Sequence, residues 1–350
     1  MAITFVLMGV IWFGGPILRL PKAVRALLVG LIYVLGFVVL LTLPEGHNMR
    51  ELFGDSVGIW ALVGMCGAVV GLYVWALPLL RKRGETAAGV VPEAGGSFSE
   101  TELDRYARHI VLREVGGLGQ KRLREARVLV IGAGGLGAPA LQYLGAAGVG
   151  TIGVVDDDVV ENANLQRQVI HKDAAIGTPK VFSAQSELQA QNPFISVRPY
   201  HRRLDQESAE ALFAEYDLIL DGTDNFDTRY MVNRVAVALG KPLISAAMTQ
   251  WEGQISLYDP AHGGPCYQCV FPEPPAPGLV PSCSEAGVIG PLPGVMGSMM
   301  AVEAIKVITG AGENLRGVLF TYDALYGETR KFTTSKRADC PVCGAIQVRA

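Results

Sequence analysis

Two distant cysteine pairs constrain this chain more than any other feature: Cys266-x-x-Cys269 and Cys340-x-x-Cys343. Each spacing lets two thiolates grip one ion, and together the pairs supply the four sulfurs of a closed tetrahedral zinc site. Any fold the chain adopts has to bring the two segments side by side. A site with four protein ligands keeps no open position, so it is structural and leaves chemistry to other residues.

The rest of the sequence is unevenly apolar. Residues 26–43 and 59–80 carry no charge, and each is long enough to cross ~30 Å of hydrocarbon. Both read as transmembrane helices. Residues 2–18 are also uncharged but end in Gly14-Gly15-Pro16, near the lower length limit for a span. They read as a further span rather than a cleaved signal, because no basic residue precedes them and two more apolar stretches follow. Arg19, Lys22 and Arg25 precede the second span, and Arg81-Lys82-Arg83 follow the third. Both basic clusters are expected on the cytoplasmic side, which puts the amino terminus and the loop over 44–57 outside. The expected location is the inner membrane, multi-pass, with the larger remainder in the cytoplasm.

Residues 84–98 are rich in Gly, Ala and Pro and read as a linker, so the membrane module is expected over 1–83 and a cytoplasmic domain over 99–345. The net charge is −3 and no basic block lies beyond the membrane-flanking triplet, which excludes nucleic acid as the expected partner. Five of the six cysteines fall in the cytoplasmic part, where reducing conditions argue against disulfides.

The cytoplasmic domain opens its apolar pattern with residues 127–131 (RVLVI), read as a buried strand. Gly132-Ala133-Gly134-Gly135-Leu136-Gly137 and a helical stretch over 138–147 follow at once, the context a G-x-G-x-x-G turn requires. A second strand over 151–155 leads to Asp156-Asp157-Asp158, and Asp156 falls where a carboxylate can bond a ribose hydroxyl. Strands over 196–200, 218–220 and 243–246 with helices between them predict a doubly wound, Rossmann-like, mainly parallel α/β sheet. Residues 253–258, 319–322 and 329–333 read as further strands near the cysteine loops. The glycine turn alone leaves a dinucleotide and a mononucleotide equally open.

Three later segments favour the mononucleotide. Asn164-Leu165-Gln166-Arg167-Gln168 and Pro179-Lys180 place two cations soon after the carboxylate, as neutralising a triphosphate requires. Asp224 lies in Asp221-Gly222-Thr223-Asp224-Asn225, past the carboxyl end of an apolar strand, where open sheets bind ligands and a carboxylate can hold magnesium. A surface ion pair, a solvated lysine and a helix cap are the ordinary alternatives for the three residues.

With these residues in view, the chain resembles the ubiquitin-activating-enzyme superfamily, and within it the bacterial ThiF/MoeB/HesA branch of molybdopterin-synthase and thiamine sulfur-carrier adenylyltransferases. The motifs that carry the resemblance are RYARH at 105–109, GAGGLG at 132–137, NLQRQ at 164–168, TDN at 223–225, CYQC at 266–269, SCSEAGVIGPLPGVMGS at 282–298 and CPVCG at 340–344. The resemblance implies ATP-dependent adenylation of the carboxy-terminal glycine of a small ubiquitin-like sulfur carrier ending in Gly-Gly, with release of pyrophosphate. It implies Asp156 on the ribose, Gly132, Gly134, Gly135 and Gly137 around the adenylate, and Asn164, Arg167 and Lys180 on the phosphates. It also implies Mg2+ on Asp224, Zn2+ on the four cysteines, and a symmetric homodimer in which Arg108 reaches the neighbouring subunit's triphosphate. Cys283 occupies the place of a cysteine that, in some relatives, forms a covalent link with the carrier. WEGQI at 251–255 and CSEAGV at 283–288 look more like the molybdenum-cofactor enzyme than the thiamine one.

The resemblance does not cover residues 1–83, read as a membrane tether. No rhodanese-like extension is recognised after Cys343, so a separate sulfur donor protein is expected. His47, His109, His171, His201 and His262 show no metal-ligand spacing and read as ordinary surface or core residues. Two readings of other classes stand beside the leading one: an NAD-dependent oxidoreductase on the same fold, and a membrane-tethered nucleotide sensor that has lost turnover.

Overall fold

The computed structural model describes residues 2–14, 21–54, 56–88, 97–276 and 286–346. The chain divides into two compact units, Met1–Val90 and Val91–Ala350.

The first unit is helical: α1 (Ala2–Gly9), α2 (Lys22–Thr42), α3 (Asn48–Phe53) and α4 (Val57–Ala88). A π-helical turn, Val10–Gly14, follows α1, so the described part of the first apolar segment spans only about 20 Å at 1.5 Å per residue. The segment expected as an outer loop contains α3, capped by His47, whose Nδ1 accepts from Met49 N at 3.2 Å. Thr4 Oγ1 donates to the Leu52 carbonyl at 2.7 Å, which ties α1 to α3. A small aromatic cluster closes the unit, where the fully buried Trp60 donates from Nε1 to the Phe53 carbonyl at 2.6 Å. Within α2, Val24–Thr42 has a mean hydropathy of 2.6 and is only 17% buried. Helix α4 continues to Ala88, into the stretch expected as a linker, because Glu85, Thr86, Ala87 and Ala88 include good helix formers and no proline. Arg19 and residues 89–96 lie outside the described residues.

The second unit starts at a capping box. Ser99 Oγ accepts from Glu102 N, and the Glu102 carboxylate accepts from Ser99 N at 2.9 Å, fixing the start of α5 (Glu100–Ile110). Helix α6 (Gly116–Glu125) then leads into an eight-stranded sheet: β1 (Arg127–Ile131), β2 (Thr151–Asp156), β3 (Ser196–His201), β4 (Leu218–Asp221), β5 (Leu243–Thr249), β6 (Glu252–Tyr258), β7 (Val318–Asp323) and β8 (Glu328–Thr333). The order is β3-β2-β1-β4-β5-β6-β7-β8. Strands β1 to β5 pair in parallel, and β5 through β8 pair antiparallel.

Helices α7 (Gly137–Ala147), α8 (Lys180–Gln191), α9 (Gln206–Ala214) and α10 (Phe226–Leu239) make the parallel crossovers, α11 (Tyr267–Val270) follows β6, and α12 (Pro291–Thr309) lies against α7, β5 and β6. Two apolar layers result. One packs Leu141, Leu144, Leu188, Met296 and Met300 on one sheet face, and the other packs Phe213, Tyr216, Val232 and Val235 on the opposite face. Helix α12 is itself long and apolar enough to cross a membrane, with a mean hydropathy of 1.3, yet half of that window is buried inside the unit. The order in which strands are added to the sheet reverses between β1 and β4, and there the crevice for a ligand opens at the carboxyl ends of the strands.

Candidate functional site

The glycine turn between β1 and α7 is held by steric necessity. Gly132 adopts φ +91, a left-handed region where a Cβ is strained. A Cβ on Gly137 would collide with the Gly132 carbonyl, so only glycine permits the turn to close against the start of α7. No side chain caps α7, but Ala138 N donates to the Gly134 carbonyl at 2.8 Å and Pro139 carries no N–H, so the amides left to a ligand belong to the turn rather than to the helix.

A cavity of about 1260 Å3 opens over this turn, lined among others by Gly132, Gly134, Gly135, Asp156, Arg167, Lys180 and Asp224. The structure thus brings together residues spread from 132 to 224. Gly137 and Asn164 do not line it: Gly137 shapes the turn from behind, and Asn164 Oδ1 accepts from Arg167 Nη2 at 2.8 Å. Asn164 therefore orients the arginine. Arg108 is exposed on α5, apart from this cavity. Cys283 lies outside the described residues.

Asp156 ends β2 and accepts from Ala133 N at 2.7 Å and from Asp158 N at 2.8 Å. Burial, which outweighs these amide bonds, raises its pKa above the ordinary 3.8. Lys180, the first residue of α8, is almost wholly buried and donates to Asp158 Oδ2 at 2.8 Å. Asp158 is largely exposed, so this pair holds a cation beside the cavity without burying two opposite charges.

Asp224 is exposed in the loop after β4. The cap of α10 is its neighbour Asn225, whose Oδ1 accepts from Thr228 N at 2.9 Å. Among the described residues no hydrogen bond or ion pair occupies the Asp224 carboxylate, which leaves it one oxygen ligand of the kind a hard divalent cation takes. The loop is fixed from below: Asp221 Oδ1 accepts from Thr223 N at 3.0 Å and Oδ2 accepts from Ser245 Oγ at 3.0 Å. Buried Arg229 donates to Ser245 Oγ at 2.9 Å and also bonds the Thr223 carbonyl.

Sequence reasoning missed Arg229, and it missed Gln168 and His171. Gln168 is buried, lines the cavity, and has no hydrogen-bond partner for Oε1. His171 touches the glycine turn itself, with Nε2 2.9 Å from the Ala133 carbonyl. Only Gln168 carried a signal, its place in the NLQRQ motif.

The four cysteines converge as their spacing predicts. Their sulfurs lie within 4.8 Å of one another and all four residues are buried. The separations Cys266–Cys269 3.8 Å, Cys266–Cys340 3.6 Å and Cys269–Cys343 3.3 Å are close to the ~3.8 Å edge of a tetrahedron with metal–sulfur bonds of about 2.3 Å. Arg337 N donates to Cys269 Sγ at 3.4 Å, a bond that stabilises a thiolate. Buried soft donors in this geometry fit zinc.

Among known proteins, the model of the ThiF family matches residues 106–342. The sulfur carrier protein adenylyltransferase of Thermus thermophilus is 53% identical over 251 residues, covering 71% of this chain and 93% of its own. The SAMP-activating enzyme E1 of Haloferax volcanii is 49% identical, covering 71% and 91%. The crystal structure of E. coli MccB with ATP is similar with a TM-score of 0.60 at 25% identity, over 72% of this chain and 76% of that one.

Proposed function

The chain belongs to the ThiF family, and from that membership we propose that it uses ATP to adenylate the carboxy-terminal glycine of a small ubiquitin-like sulfur carrier, releasing pyrophosphate. Its relatives are named adenylyltransferases, and it is a nucleotidyltransferase of that type. The observation that carries the proposal is the single cavity uniting the glycine turn, Asp156, Arg167, Lys180 and Asp224.

In this reading the ribose bonds the Asp156 carboxylate, and the phosphates take the turn amides, Arg167 and Lys180. Asp224 would hold magnesium, which when bound neutralises phosphate charge. The carrier's carboxylate oxygen attacks the α-phosphorus, the bond to the β-phosphate oxygen breaks, and pyrophosphate leaves. Lys180 and Arg167 offset the charge that develops on the leaving group. Exposed Arg108 serves the neighbouring subunit of a homodimer. The test is carrier-dependent exchange of labelled pyrophosphate into ATP; absence of exchange with every Gly-Gly carrier offered would reject the reaction.

We favour the small subunit of molybdopterin synthase as the carrier, and so molybdenum cofactor biosynthesis, on the WEGQI and CSEAGV stretches. Capture of the thiamine-pathway carrier in its place would reverse that choice. The sulfur donor is proposed to be a separate protein. We also propose a multi-pass tether in the inner membrane with the second unit in the cytoplasm, a reading that rests on Val24–Thr42, long and apolar enough to span, and on the shorter apolar helix Val57–Tyr73.

A further inference from the structure

His171 is a buried histidine packed against the glycine turn. It is 5% exposed and does not line the cavity. Its Nε2 lies 2.9 Å from the Ala133 carbonyl and its Nδ1 2.9 Å from Ser183 Oγ. A carbonyl can only accept, so the ring proton sits on Nε2 and Nδ1 accepts from the serine hydroxyl. Burial lowers the pKa of the ring, in keeping with this neutral form.

Ala133 is the second residue of the turn, and both its backbone groups are held: N–H by Asp156 Oδ2 at 2.7 Å, C=O by His171. The Ala133 carbonyl and the Gly134 N–H belong to one planar trans peptide and point in opposite directions. Holding the carbonyl toward the buried ring turns the Gly134 amide the other way, and Gly134 lines the cavity. Ser183 lies one turn into α8, the helix that begins with Lys180.

We propose that His171 is a positioning residue: its Nε2–H sets the Ala133–Gly134 peptide so that the Gly134 amide faces the nucleotide's phosphates, and its bond to Ser183 ties that peptide to the helix bearing Lys180. The proposal rests on the ATP-dependent reading above. It goes beyond that reading by separating phosphate recognition from recognition of the nucleoside.

The experiment is calorimetric titration of the full-length protein with ATP and, separately, with adenosine. His171→Phe removes the donor at similar volume, and His171→Gln restores an N–H at comparable reach. His171→Phe is expected to weaken ATP binding about tenfold, as loss of one oriented bond to a charged group would, with adenosine binding unchanged. His171→Gln is expected within about twofold of the native protein for both ligands. Equal loss of ATP and adenosine in His171→Phe, or no loss of either, overturns the proposal. If His171→Phe does not fold, Ser183→Ala carries the same comparison, with a smaller selective loss of ATP expected and no selective loss overturning it. A native protein that binds adenosine and ATP equally would instead reject the phosphate site and the adenylation reading with it.

Discussion

In the proposed nucleotide site the ionised Asp156 carboxylate is the stronger acceptor for the ribose hydroxyls, yet burial favours its neutral form. A raised folded pKa means that its contribution to stability is fully present below the unfolded value near 3.8 and is lost as pH rises through the raised value. Binding runs the other way. ATP affinity is expected to fall as pH is lowered through the raised pKa, at a higher pH than an ordinary aspartate would show, and titrations of native protein against Asp156→Asn check it: the variant should bind weakly and lack that limb. Lys180→Met and Arg167→Ala should each reduce pyrophosphate exchange by about 10²–10³-fold, the usual cost of removing a charge-stabilising group. Their legibility differs from that of His171 for a physical reason. Asp156, Lys180 and Asp224 stand at fixed offsets from strand ends and helix starts, so spacing exposes them. His171 meets Ala133 only through tertiary packing, and Arg229 meets Ser245 likewise, and no local pattern records such contacts.

At the level of elements, β1, β2, β4 and β5 were legible because strands buried on both faces read as short continuous apolar runs. The antiparallel half was foreseen as strands without a partner order. One cause is the two-residue connection between β5 and β6, Gln250-Trp251, which has no glycine or asparagine although Gln250 adopts φ +45. The helix at 48–53 was missed because only six residues form it and a histidine caps it. The turn between β1 and α7 has no slack: Gly137→Ala should cost about 1–3 kcal/mol in urea unfolding, since the backbone of Gly132 must shift to admit a methyl group. The cysteine cluster joins α11 to the loop beyond β8. Cys266→Ser, or a strong chelator, should lower zinc content and melting temperature together, and a metal-free variant that melts at the native temperature would contradict a structural metal.

The whole molecule joins two units of different chemistry, and the capping box at Ser99 gives the second a defined beginning of its own. Full-length protein is expected in the membrane fraction after an alkaline wash, while a fragment beginning at Ser97 should remain soluble and still exchange pyrophosphate. Recovery of the full-length chain in the soluble fraction would remove the tether. A last consequence concerns how such a chain is made. Helix α12 has the length and hydropathy of a span, although in the folded unit it lies in the core. A ribosome held at the membrane by the first helices would present α12 to the insertion machinery after the sheet it covers, apart from β7 and β8, has been synthesised. Glu303, buried and accepting from Leu315 N at 2.9 Å, makes the hydrocarbon alternative costly. In the proposed tethered chain, folding of β1 to β6 would compete with lateral insertion, and buried Glu303, paired with Lys306, would weigh against the hydrocarbon.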